Sequence, residues 1–274
     1  MMILSKKLLR TVAFSFVALG TLMSPLGVYA DEALREAGRK VVQQYSDAVI
    51  SVEVVAEAQF SYGGQQSERE TKQEVNGLVI SPEGLVLVPL SEVDPTSLAE
   101  RMNPGEEAGF KITVKGIRYI MADGTEIPAK LVLRDNERDL GFLQPETPVA
   151  KPLTFVDLGV ESTTPEIMEP VMVVARSERV AGRTPLGMSG EIQGVITKPQ
   201  PFYVPSSELA SSGTGVPVFN SKGEVIGVIL LRVLPGGNNL SNDSESPYLY
   251  VVVPNLEIAD AADQLKPAET KPAE

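Results

Sequence analysis

Apolar positions along this chain recur mainly at every second residue, in short runs separated by polar turns. Only the two ends of the globular part depart from that rhythm. Asp31 to Tyr45 places Leu34, Ala37, Val41 and Val42 at helical spacing among charged residues and predicts a helix. From Ala48 the period becomes two, and Val49 to about Phe60 reads as a strand. Residues 61–74 are polar and contain glycine, which predicts a hairpin loop. Strands at about Val75–Ile80 and Leu85–Val88 flank the turn Ser81-Pro82-Glu83-Gly84. Residues 91–109 read as loop with one helical turn. Strands at Lys111–Met121 and Glu126–Arg134 surround Ala122-Asp123-Gly124-Thr125, and Leu140–Leu143 is a short strand.

Residues 144–152 are Pro-rich and read as a linker, with a further loop at Ser162–Pro170. The second half repeats the rhythm, with strands at Val171–Ala175, Glu191–Thr197, Val216–Phe219, Val225–Leu231 and Tyr248–Val253. Asn255 to Gln264 is a closing helix, capped by Asn255 with Glu257 just inside. The tail, 266–274, is of low complexity and reads as disordered. About a dozen strands in two halves, with helices only at the ends, predict an all-β protein, either a sandwich pair or two barrels. The split near 144–156 favours barrels. The domain reading is an N-terminal helix at 31–47, a first barrel at 48–150, and a second barrel with closing helix at 151–265.

The first thirty residues change that picture at one end. Lys6, Lys7 and Arg10 precede a short apolar run, Thr11 to Met23, and Val28-Tyr29-Ala30 supplies small residues for cleavage after Ala30. This predicts a signal peptide and an exported protein. The alternative is an uncleaved anchor, for which the run is short against the roughly 20 residues of a span. The net charge is −12, and removing this segment's three basic residues makes it −15. Such a field disfavours nucleic acid and anionic membranes and favours cationic partners. The chain has no cysteine, so no disulfide supports the fold outside the cell.

Six segments, in one order, resemble the protease domain of the HtrA/DegP group of bacterial envelope serine proteases. Residues 41–56 (VVQQYSDAVISVEVVA) resemble its entry helix and first strand. GLVISPEGLVLVPLSEV (77–93) is similar to the segment that delivers the catalytic histidine. ITV (112–114) and MADGTEIPAKLVLRDNERDLGFLQ (121–144) resemble the region of the catalytic aspartate. EIQGVITK (191–198), SSGTGVPVFNSKGEVIGV (211–228) and YLYVVVPNLEIADAADQL (248–265) are similar to the substrate-facing strand, the nucleophile loop and the closing elements. The resemblance covers nearly all of 40–265 and implies two six-stranded barrels of the trypsin-like fold. The PDZ domains usual in the group have no counterpart in this sequence.

The resemblance also assigns the catalytic positions, and they are degenerate. A serine protease needs a hydroxyl nucleophile, an imidazole base and a carboxylate that orients the imidazole. The histidine position falls at Ser91, with Leu90 or Glu92 if the register slips by one, and the chain contains no histidine at all. The aspartate position is Asp139, read either as the orienting carboxylate or as a turn acid that pairs with Arg138 or caps local backbone donors. The nucleophile position is Thr214, an internal β-branched hydroxyl with no evident base. The oxyanion-hole donors would come from Ser212 and Thr214, and Ser212 stands where the family has glycine. Glu208 falls where this fold places a specificity determinant, and otherwise reads as a solvated loop acid.

Other chemistries find little support. Asp243 and Glu245 lack EF-hand spacing, and Gly236-Gly237-Asn238-Asn239 is not followed by a phosphate-binding GK[ST]. No metal or cofactor is expected. Three functions remain: a non-catalytic peptide- or protein-binding module, a residual or unconventional endopeptidase, and a structural scaffold. The location expected is the bacterial periplasm or the extracellular space. The partners expected are polypeptide segments, an envelope protein or an active protease relative, with oligomerisation open.

Overall fold

The computed structural model describes residues 26–62, 65–94, 110–233 and 248–265. Residues 1–25, the segment 95–109, the loop holding Gly236–Asn239 and Asp243/Glu245, and the tail 266–274 lie outside them. Twelve antiparallel strands form two closed six-stranded barrels. The protein is therefore all-β, with a helix at each end.

Helix α1 (Leu26–Tyr45) precedes the first barrel, which contains β1 (Val49–Tyr62), β2 (Gln65–Val79), β3 (Val86–Pro89), β4 (Phe110–Ile120), β5 (Glu126–Asp135) and β6 (Leu140–Pro145). The one-turn helix α2 (Leu90–Val93) follows β3. The second barrel contains β7 (Pro170–Arg176), β8 (Pro185–Ile196), β9 (Phe202–Pro205), β10 (Val216–Asn220), β11 (Val225–Val233) and β12 (Tyr248–Pro254). A 3-10 turn, Arg179–Ala181, lies between β7 and β8, the short helix α3 (Ser207–Ala210) between β9 and β10, and α4 (Asn255–Asp263) closes the chain. Around the barrels the orders are β1-β2-β3-β6-β5-β4 and, read the other way round the ring, β7-β8-β9-β12-β11-β10. The two halves share one connectivity, and the pair is compatible with a trypsin-like fold.

Period-two alternation is what builds both cores. On β1 and β3, Ile50, Val52, Val86 and Val88 point into the first barrel, while Val49 and Leu87 point outward. On β7, Val171, Val173 and Ala175 fill the second barrel, while Met172 and Val174 point outward. The outward residues of both barrels meet in one shared apolar layer, which α1 and α4 cover with Val41 and Ile258. A strand buried on both faces reads as a continuous apolar run. That explains VLV in β3 and VIGVILL in β11.

Three sequence expectations change. Residues 65–74 are strand rather than hairpin loop, since β2 pairs with β1 from Tyr62↔Gln65 to Val49↔Leu78. Thr71, Lys72 and Gln73 are exposed, so the buried face that would show alternation is missing there. Next, β8 begins at Pro185, and β9 has no counterpart among the expected strands. Pairing with β7, from Arg176↔Pro185 to Pro170↔Glu191, holds the Gly-Met-Ser-Gly stretch extended despite its weak strand propensity. Finally, Asn255 makes no helix cap, because Pro254 holds that position. Buried Asn255 instead donates from Nδ2 to the carbonyls of Leu158 (3.0 Å) and Val160 (2.8 Å) and accepts from Ser162 Oγ (2.9 Å), pinning the inter-barrel segment.

Candidate functional site

The site forms where both barrels contribute loops. Strand β3 ends at Pro89 and turns into α2, which presents Ser91 and Glu92. The turn between β5 and β6 presents Asp139, and the loop between α3 and β10 presents Thr214. The structure thus brings Ser91, Asp139 and Thr214 to one place.

Asp139 is fully buried and sits at φ 62, a left-handed conformation uncommon outside glycine, asparagine and aspartate. Its Oδ1 accepts the Ser91 N–H at 2.7 Å, and its Oδ2 accepts the Ser91 hydroxyl at 3.0 Å. Oδ2 also accepts the N–H of Leu231, from the second barrel, at 3.2 Å. The Asp139 carbonyl receives the Leu90 N–H at 2.9 Å. The backbone donors that the carboxylate accepts, Ser91 and Leu231, are 48 and 92 positions away rather than local. Arg138 pairs with Asp135 (2.9 Å) and Glu257 (3.2 Å).

Ser91 is too short to reach from Asp139 to the nucleophile position. Glu92 closes the remaining distance: the Thr214 hydroxyl donates to its Oε1. Gln73 of β2 donates its amide to the Glu92 carbonyl, fixing the turn of α2. Burial raises the Glu92 carboxyl above the ordinary carboxylate range and the nearby Asp139 charge adds to this, while the Thr214 hydrogen bond works against both. The side chains here form two separate contacts, Ser91 with Asp139 and Glu92 with Thr214.

The loop before Thr214 is closed as well. Ser212 donates its N–H to the Leu209 carbonyl at 2.9 Å, continuing the turn of α3, and its hydroxyl donates to the same carbonyl at 2.6 Å. That N–H is therefore taken up by the backbone of α3. Gly213 and Gly215 both have positive φ, at 90° and 75°. A Cβ on Gly215 would lie 2.6 Å from the Asn76 carbonyl oxygen, so the loop packs directly on β2. Thr214 itself is 5% exposed. Glu208 is in solvent on α3, bonded to its neighbour Ser207 at 3.5 Å and held below the ordinary carboxylate range by its own backbone N–H. It does not line the cleft described next.

Beside Thr214 a cleft of about 470 Å³ opens between the barrels, walled by Asn76 and Glu92 on one side and by Val180, Leu186 and Ser212 on the other. Sequence reasoning missed three residues that shape it. Asn76 Oδ1 accepts the Arg176 N–H at 3.1 Å across the barrels. The buried Arg176 guanidinium donates to the carbonyls of Val49 (2.5 Å), Arg183 (2.9 Å) and Ser46, and burial lowers its pKa. Arg183, at φ 52, makes a two-point pair with Glu74 at 2.6 and 2.9 Å. These polar residues lie outside any apolar period and pair over about a hundred positions, so no local signal marks them. A second, more apolar groove of about 490 Å³ runs between α1 and β8, away from these groups.

Neither the comparison with protein-family models nor that with curated protein sequences gives a match. Fold and site geometry are therefore what bear on function.

Proposed function

We propose that this chain is an exported, HtrA-type pseudoprotease: a trypsin-like fold whose inter-barrel cleft binds polypeptide segments in the cell envelope without cleaving them. One observation carries the reading. Every element of the hydrolytic site is engaged in a static contact, while the cleft beside it stays open. Asp139 holds Ser91, Glu92 holds the Thr214 hydroxyl, and the Ser212 N–H is bonded to Leu209. With no histidine in the chain, no imidazole lies between acid and hydroxyl. The cleft keeps its volume and offers solvent-facing apolar side chains, the ordinary makings of a peptide groove.

The Thr214–Glu92 hydrogen bond is also the observation that favours a second reading, a residual endopeptidase with Glu92 as base. The two readings separate in one experiment. The mature protein is incubated with unfolded, fluorescently labelled casein and with a fluorophosphonate probe, and casein binding is followed by anisotropy. Saturable binding with intact casein and no labelling is the expected result. Labelling that Thr214→Ala abolishes would overturn the pseudoenzyme reading, and failure to bind casein would favour a scaffold instead.

A further inference from the structure

We propose that the cleft selects segments carrying a basic side chain next to an apolar one, with the Glu92 carboxylate receiving the charge. This rests on the polypeptide-binding reading above and names the chemistry of the segment.

The charge arrangement of the cleft carries the argument. Arg176 is the only basic residue on its walls among the described residues, and its guanidinium is occupied by three main-chain carbonyls. Glu74, also on the wall, is matched by Arg183. Glu92 is not matched. Its Oε1 accepts the Thr214 hydroxyl, and among the described residues no donor reaches Oε2 and no basic residue pairs with the carboxylate. A half-buried carboxylate without a cation keeps part of its desolvation cost, which a hydroxyl offsets only in part. A cation arriving from a ligand would offset more, because the field of a half-buried carboxylate is screened less than that of one in open solvent.

The apolar half of the specificity comes from the opposite wall. Val180 is 92% exposed and Leu186 41%, both facing solvent at the cleft. They offer a surface for the methylene stem of a lysine or for its aliphatic neighbour. Exposed Glu178 at the same rim extends the negative potential outward, and the net charge of −12 draws cationic segments toward it. An acidic segment meets repulsion at every one of these groups.

The test uses three acetylated, fluorescein-labelled heptapeptides that differ at the centre: lysine between two valines, and the same peptide with norleucine or glutamate there. Anisotropy titration should show the lysine peptide binding about tenfold more tightly than the norleucine one, with glutamate weakest. Glu92→Gln should bring lysine and norleucine within about twofold of each other without weakening norleucine. Thr214→Val leaves the carboxylate in place and removes its internal donor, so it should retain or enlarge the lysine preference. Equal affinities in the wild type, a preference that survives Glu92→Gln, or one that disappears in Thr214→Val would each overturn the inference. Should neither the peptides nor unfolded casein bind at all, it is the polypeptide-binding reading that fails; peptide binding without a lysine preference defeats this inference alone.

Discussion

Replacing Asp139 by alanine should unfold this protein far more readily than removing a surface carboxylate would. The side chain is wholly buried and accepts from the Ser91 N–H (2.7 Å), the Ser91 hydroxyl (3.0 Å) and the Leu231 N–H (3.2 Å). Alanine leaves two buried main-chain donors without acceptors. Each such orphan costs about 1–3 kcal/mol. The serine hydroxyl can rotate toward another acceptor and adds less. Alanine must also hold the left-handed conformation of residue 139, at about 1–2 kcal/mol. The total expected is about 3–8 kcal/mol. An asparagine would keep one acceptor oxygen and tolerates that backbone, so Asp139→Asn should lose only about 1–2 kcal/mol. Urea unfolding of both variants, with coincident far-UV dichroism and tyrosine fluorescence, measures these values. If alanine comes within about 1 kcal/mol of wild type, the carboxylate is not holding the barrels together, and the reasoning fails.

Glu92→Gln should stabilise the protein at neutral pH and lose that advantage in acid. A carboxyl whose folded pKa is raised binds its proton more tightly in the native state, so its unfavourable contribution is absent below the unfolded value near 4.5 and grows as pH rises toward the folded one. The size is about 1.4 kcal/mol for each pH decade between the two midpoints. Thermal melts at pH 4 and pH 7 check this, and an equal effect at both would refute it. Asn255→Ala should cost about 2–3 kcal/mol and speed proteolysis within 158–162, since two carbonyls and a hydroxyl lose their partner there. Gly215→Ala should cost more than about 2 kcal/mol, combining a left-handed backbone at φ 75 with a 2.6 Å approach to Asn76 O. Gly124→Ala, in an open turn with φ 83, isolates the backbone component alone.

The barrels were legible because burial follows a period the chain writes locally. Val49 to Val54, Val171 to Ala175 and Val225 to Leu231 announce strands within a few residues. Polar β2 and glycine-containing β8 do not, since their extended form is imposed by β1 and β7 across the sheet. The positions Ser91, Asp139 and Thr214 were placed through the resemblance, and the structure brings them together. Glu92 was named only as a one-residue slip of the Ser91 reading, and its contact with Thr214 was not legible, because it joins residues 122 positions apart. Arg176 likewise reads as an ordinary strand end, and only the packing of Ser46, Val49 and Arg183 around it shows why it is buried.

The apolar layer shared by the barrels bears on how such a chain can change over generations. Leu87 and Phe142 of one half and Val174 and Leu230 of the other lie in a single buried cluster. Neither half can be shed, duplicated alone or exchanged without baring that layer to water. The two-barrel body is therefore inherited whole or not at all. Change is easiest in the loops at the seam, where Ser91, Glu92 and Thr214 stand beside the open cleft.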